Sequence, residues 1–324
     1  MITFGPVPSR RLGSSLGINH IPPKYCPYSC VYCQVGRTTH MEVKRREFYP
    51  LEQILGEVDH KISQCSQAGT GIDYLTLVPD GEPALDVHLG ELIQALKRFG
   101  IPVAVISNAS LIDRQDVQDE LSYADWVSLK VDTLDERLWR NINRPHRRLS
   151  FLRILDGMLA FRKQYQGELV TESMLLGDLN DGKNAIRQLC DFLLELQPFK
   201  SYLSIPTRPP AERSVSSPSP QALQEVLQVC ADRISFIDVL FDTEIGQFVS
   251  TGNLVDDILS ITAVHPLREE ALRQMVAQAG KDWQVVEDLL TEERIAGISY
   301  RNERFYLRTF KHAHPCDRGH VSPR

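Results

Sequence analysis

Three cysteines fall within eight residues of the 324-residue chain, in the stretch "YCPYSCVYCQVG" at 25–36. Thiolates packed that closely, here Cys26, Cys30 and Cys33, are ligands for zinc or for an iron–sulfur cluster. A structural zinc site wants four protein ligands, and His20 or His40 could supply the fourth. A [4Fe–4S] cluster has four irons, so three thiolates leave one iron open to an added ligand. The C-x3-C-x2-C spacing favours the cluster, because zinc motifs usually pair cysteines two residues apart. Core packing does not explain the loop, since Pro27, Tyr28, Ser29 and Gly36 are poor material for a buried strand.

Something must hold that loop. Strand-like segments at 15–20, 73–78, 102–107, 125–131, 168–176 and 201–205 alternate with helical periodicity at 51–65, 89–99, 114–121, 135–165, 184–196 and 220–233. Six such units predict an α/β fold, a partial (β/α)6 TIM-like barrel, with functional residues at the carboxyl ends of its strands. The cysteine loop follows the first of those strands. "PTRPPAERSVSSPSP" (206–220) follows the sixth and reads as a surface connection or lid, with Arg208 and Arg213 placed to meet an anionic group. After about residue 250 the rhythm changes to three short helices and two strands, which predicts a small winged helix-turn-helix domain. The expected division is 1–250 for the core, 251–311 for the winged domain, and an unstructured tail at 312–324. His312, His314, Cys316 and His320 in "KHAHPCDRGH" could bind a metal, but a terminal run of this kind is more often a polar end.

Bulk properties exclude several classes. Net charge is −6, with 42% hydrophobic and 24% charged residues, so no global attraction draws the chain to nucleic acid or an anionic membrane. No stretch approaches the ~20 consecutive apolar residues of a membrane span, and the opening residues lack the apolar run of a signal peptide. Seven cysteines, three clustered and four scattered, describe a metal site in a reducing compartment and not a disulfide framework. The expected location is the cytoplasm. The third helix of the winged segment, "DWQVVEDLLTEER", is acidic, which makes DNA an improbable partner.

C-x3-C-x-aromatic-C, with Tyr32 as the aromatic, resembles the signature of the radical S-adenosylmethionine (SAM) superfamily. The resemblance implies one [4Fe–4S] cluster, SAM chelated at the open iron, and a 5′-deoxyadenosyl radical that abstracts hydrogen from substrate. It also implies a one-electron reductant such as flavodoxin or ferredoxin. "VPDGEP" (78–83) resembles the Gly-Gly-Glu segment that receives the SAM amino group, with Asp80 in place of the first glycine and Gly81 and Glu82 as contacts. On the same basis Ser107 and Asn108 are SAM contacts, Lys130 suits its carboxylate, Asp132 a ribose hydroxyl and Asn180 the adenine side. "GPVPSRRLGSSLGIN", "CVYCQVGRTT", "NINRPH" and "PTRPPAE" resemble microbial iron–sulfur oxidoreductases grouped with the tRNA wyosine synthase. That synthase binds a second cluster through cysteines upstream of its motif; no cysteine precedes Cys26, so its tRNA chemistry is not carried over. The substrate is open between small molecule, peptide and RNA. The alternatives are an activase or peptide-modifying radical SAM enzyme, and a metal-stabilised winged-helix regulator that binds nucleic acid.

Overall fold

The computed structural model describes residues 2–240, 253–301 and 303–309. Eight strands form one curled sheet, with two-residue strands β3 (Tyr25–Cys26) and β4 (His40–Met41) paired outside it. In spatial order the sheet runs β1 (Thr3–Ser9), β2 (Gly13–Ile18), β5 (Tyr74–Leu77), β6 (Val103–Ser107), β7 (Trp126–Lys130), β8 (Glu168–Met174), β9 (Lys200–Ser204) and β10 (Ile237–Leu240). From β2 to β10 every neighbouring pair is parallel, and β1 joins the edge antiparallel through a tight hairpin. Helices α1 (Leu51–Gln67), α2 (Leu89–Leu96), α3 (Gln115–Leu121), α4 (Glu136–Ile142), α5 (Phe151–Gln164), α6 (Lys183–Leu196) and α7 (Pro220–Ala231) lie in the crossovers. This is the partial barrel expected of six βα units, extended by two strands. β1 is hidden from sequence reading by Gly5, Pro6 and Pro8, and β10 by its brevity.

Period-two alternation gives the sheet two apolar faces. Leu75, Leu77, Val103, Val105, Val127 and Leu129 are fully buried in the main core with the helices. Ala104, Trp126, Val170, Tyr202 and Leu240 pack with Leu12 as a separate cluster on the other face. That plug fills the barrel interior below the strand ends. The stretch 135–165 is two helices and not one, because Arg144 takes a left-handed φ of +46° and Pro145 follows it.

The C-terminal segment contributes α8 (Leu254–Val264), β11 (Leu267–Arg268), α9 (Glu269–Gln278), α10 (Gln284–Thr291), β12 (Ile295–Tyr300) and β13 (Glu303–Arg308). Its antiparallel sheet has the order β11-β13-β12, one strand more than the sequence suggested. Its core, including Leu254, Ile258, Leu272, Val286 and Tyr306, is separate from that of the barrel. Trp283, Leu289 and Leu290 of the acidic third helix belong to this core, on the apolar stripe expected of them. The histidine- and cysteine-bearing tail lies outside the described residues.

A buried ion pair fastens the two parts: Lys61 Nζ on α1 lies 3.0 Å from Asp257 Oδ1 on α8, and Asp257 is 1% exposed. Asp257→Ala leaves a desolvated ammonium and should cost about 3–5 kcal/mol in chemical unfolding, whereas the Lys61→Met/Asp257→Leu pair should recover most of that loss. Equal losses in the two variants would mean that packing at this contact, and not charge, governs the docking.

Candidate active site

At the carboxyl ends of the parallel strands lies a cavity of about 390 Å³. Cys26, Cys30 and Cys33 all line it, facing Asp80 and Gly81 beyond β5, Ser107 and Asn108 at β6, Lys130 on β7, Glu172 and Met174 on β8, and Ser204 on β9. Tyr32 is also in the wall. The loop that carries the thiols is fixed by backbone bonds from Cys33 N–H to Cys30 C=O (3.1 Å) and from Val31 N–H to Ile142 C=O (2.9 Å).

The thiols are built for a ligand. Burial pushes all three up, Cys30 to about 12, so without metal they hold their protons. Two amides aim N–H groups at sulfur: Asn108 Nδ2 lies 3.2 Å from Cys26 Sγ and Asn143 Nδ2 lies 3.5 Å from Cys30 Sγ. Such donors favour the thiolate over the thiol. Among the described residues no three His, Cys, Asp or Glu side chains converge on a single-ion site. Ligands to separate irons of a cubane need no such convergence. His20 is wholly buried and His40 stacks on Tyr25 at 4.2 Å, and neither lines the cavity, so neither is placed as a fourth ligand.

Glu82 is fully buried, and its carboxylate is occupied. Oε1 accepts from Ser107 Oγ (2.7 Å) and Ala84 N–H (3.1 Å), and Oε2 accepts from Asn108 N–H (2.7 Å). Gly81 sits where a Cβ would collide with the Tyr25 carbonyl. Asp80, by contrast, lines the cavity at 3% exposure, and burial pushes its carboxyl up to about 7.

Lys130 and Asp132 do not share a face, because β7 ends at Lys130 and the period of two ends with it. Lys130 Nζ pairs with Glu172 Oε1 at 2.9 Å, and Arg11 pairs with the other oxygen. These two cations hold the buried Glu172 carboxyl well below the usual carboxylate range. Asp132 lies outside the cavity lining. It accepts from Tyr32 Oη, from Asn143 Nδ2 (2.7 Å) and from Met174 N–H (2.8 Å). Asn180 is 2% exposed and spends its amide on Leu176 N–H, Asp132 C=O and Met174 C=O, which shapes the loop after β8.

The lid segment is tied to the cysteine loop. Arg208 lines the cavity, with Nη1 donating to Gln34 Oε1 (2.9 Å) and Nη2 lying 2.8 Å from His265 Nε2, while Arg213 is exposed. Glu212 bridges Arg37 and Arg144, giving Arg144 a structural contact. Val264 and His265 close the cavity from the C-terminal segment. Lys24, Asn143 and Glu172 were not singled out from sequence. An acid inside "ELVTESM" at the parity of buried Val170 was a usable signal for Glu172; the other two carried none.

Fold and cavity define a radical SAM protein. The chain belongs to the Radical SAM superfamily, whose family model matches residues 21–193. Within it the chain groups with the UPF0026 proteins. It is 43% identical over 312 residues to UPF0026 protein MJ1312 of Methanocaldococcus jannaschii, covering 96% of this chain and 97% of that one. A UPF0026 protein of Helicobacter pylori (strain ATCC 700392 / 26695) is 31% identical over 313 residues, 94% and 97% of the two chains. A radical SAM methyltransferase from Sphaerobacter thermophilus shares the fold, with a TM-score of 0.54 at 14% identity over 70% of this chain and 66% of that one. The chain is therefore an enzyme of radical SAM type, a class that works with a [4Fe–4S] cluster and SAM. Among the described residues no helix is long and apolar enough to cross a membrane.

Burial pushes Glu82 up to about 7 against the three donors that favour its ionised form. The unfolded chain releases that proton near 4.5 and the folded chain holds it to about 7, so Glu82 withdraws stability as pH rises through that window. In urea unfolding of metal-free protein, the stability advantage of wild type over Glu82→Gln should shrink by roughly 3 kcal/mol between pH 4.5 and 7. Taking that difference removes the opposing effect of His20, which burial pushes down to about 4. A difference that does not change with pH would show that Glu82 titrates as an ordinary carboxyl.

Proposed function

We propose that Cys26, Cys30 and Cys33 hold three irons of a [4Fe–4S] cluster, and that the protein cleaves SAM reductively to abstract hydrogen from a substrate. The observation that carries this reading is the meeting of all three thiols with Gly81, Ser107 and Asn108 in one cavity at the strand ends. Bound together, cluster and SAM supply a single chemistry: one-electron reduction of the sulfonium, releasing a carbon radical that removes hydrogen from substrate.

The chain's residues prepare for that chemistry. Asn108 and Asn143 direct N–H groups at cysteine sulfur, which favours the thiolate form that a cluster iron would bind. Glu82 sets the position of Ser107 and Asn108. Lys130 lies 5.2 Å above the centre of the Tyr32 ring, and its pairing with Glu172 keeps a fixed polar group on the cavity wall. Phe4, Val7, Ile205 and Leu240 supply apolar wall that limits water, as a reactive radical requires. An external one-electron reductant of the flavodoxin or ferredoxin type completes the system. Residues 1–250 form the catalytic unit in this reading, and the C-terminal segment closes it.

Anaerobically reconstituted protein should carry one [4Fe–4S] cluster and form 5′-deoxyadenosine from SAM under reduction. Cys26→Ala, Cys30→Ala and Cys33→Ala should each abolish the brown chromophore and this product, while changes at Cys65, Cys190 or Cys230 should spare both. Stoichiometric zinc without iron after anaerobic purification would sink the reading. A nucleic-acid regulator is disfavoured by the acids of the third helix, Glu287 and Asp288, whose field repels a duplex most strongly at low salt. The full chain should therefore show no shift of random duplex DNA at micromolar concentration in low-salt buffer; salt-sensitive binding there would revive the regulator.

A further inference from the structure

The segments packed against the cysteine loop carry a concentration of positive charge. Arg37, Arg144, Arg147, Arg148 and Arg213 are all exposed there. The backbone fixes how these segments meet. Ser29 N–H donates to Asn143 C=O (3.0 Å), and His146 N–H donates to Pro27 C=O (2.8 Å). On the lid segment Glu212 N–H donates to Val31 C=O (2.9 Å). One carboxylate then joins two of the arginines: Glu212 lies 2.9 Å from Arg37 and 2.5 Å from Arg144. Arg144 keeps this place at a φ of +46°, the left-handed region that is costly for an arginine. Glu212 is the only acid in 27–38, 143–149 and 206–216, and Arg147, Arg148 and Arg213 make no ion pair among the described residues. Positive charge is therefore in excess here, in a chain whose net charge is −6.

Its position gives that excess a use. Pro27 follows Cys26 and Val31 follows Cys30, so these segments bond the immediate neighbours of two thiol ligands. The thiols themselves face the cavity, where SAM and substrate have to meet. An electron must then enter from behind the loop, through the residues that these arginines surround. Nucleic acid is the other polyanion that an arginine face could meet. Single strands are gripped by stacking bases on aromatic rings, and no exposed aromatic residue lies in the three segments. We propose that this face docks an acidic one-electron carrier protein, with its carboxylates against the arginines and its redox group over the cysteine loop. The carrier is oxidised by one electron, the cluster is reduced by one, and no atom is exchanged. Steering by opposite charge suits a partner that must arrive, transfer and leave. This rests on the function proposed above.

The test compares an acidic flavodoxin with reduced methyl viologen, a small cation, on cluster-loaded full-length protein. Oxidised flavodoxin should bind wild type at micromolar concentration in low-salt calorimetry, a measurement that needs no turnover, and salt should weaken it. Arg147→Glu/Arg148→Glu should weaken that binding about tenfold or more. Cluster reduction by flavodoxin hydroquinone, followed by the visible absorbance, should slow in parallel, while reduction by methyl viologen should not. Arg147→Lys/Arg148→Lys should keep most of both. Flavodoxin binding and reduction within twofold of wild type in the glutamate variant would overturn the inference. Equal slowing with both reductants would also overturn it, making the arginines a prop for the cysteine loop. So would a wild type that methyl viologen reduces but neither flavodoxin nor a ferredoxin binds. Salt-sensitive binding of single-stranded RNA that the glutamate variant loses, with flavodoxin reduction unchanged, would assign the face to nucleic acid instead. Each of these outcomes leaves the proposed function standing. A wild type that holds no cluster, or that cleaves no SAM when reduced by methyl viologen, would sink both.

Discussion

One buried carboxylate connects the parts that make this cavity. Glu82 ties its own loop to the end of β6 through Ser107 Oγ and Asn108 N–H, and its backbone N–H bonds the Tyr25 carbonyl at 3.1 Å, next to Cys26. Three segments far apart in sequence thus meet at one residue, two of them at its carboxylate and the third at its backbone N–H. The placement needs Gly81, since any side chain there would meet the Tyr25 carbonyl. It also fixes Asn108, whose amide reaches the Cys26 sulfur. A misplacement of Glu82 would therefore reach the thiols through two independent paths.

A second anchor works on the opposite wall. Glu172 on β8 draws Lys130 from β7 and Arg11 from the β1–β2 hairpin, and Ser204 of β9 adds a hydroxyl at 3.2 Å. Four strands or their connections meet there, above the apolar plug of Trp126, Val170 and Tyr202. Two cations on one carboxylate leave a net positive wall in a chain whose overall charge is negative. Acids that contribute to that balance include Glu270 on α9 and Glu287 and Asp288 on α10, all exposed.

The sequence showed the chemistry more clearly than the contacts. The three cysteines, the βα rhythm and the strand-end positions of Gly81, Ser107, Asn108 and Lys130 were legible because each depends on spacing along a single segment. The partners of Glu82, Asp132 and Asn180 were not, because they come from residues up to 100 positions away. Period-two reasoning placed Asp132 beside Lys130 and failed where the strand stopped. Lys24 was invisible for a different reason. A lysine between a Pro-Pro pair and a tyrosine reads as surface, and only the bond from its backbone to Asp80 turns it inward.

The same desolvation that surrounds these groups also sets their protonation. Thiols pushed up by burial and an aspartate at 3% exposure all resist ionisation in the empty protein. Each becomes favourable as an anion once a cation or donor arrives beside it. A metal ion bound by the thiols would do this for sulfur. Ligand and site therefore stabilise each other's charges in a place water does not compete for, where each interaction counts for more than it would on the surface. The cost falls on the unliganded chain, and binding removes it. His265 and Arg208, drawn from the C-terminal segment and the loop after β9, meet at 2.8 Å on the cavity wall and so tie that segment to the site.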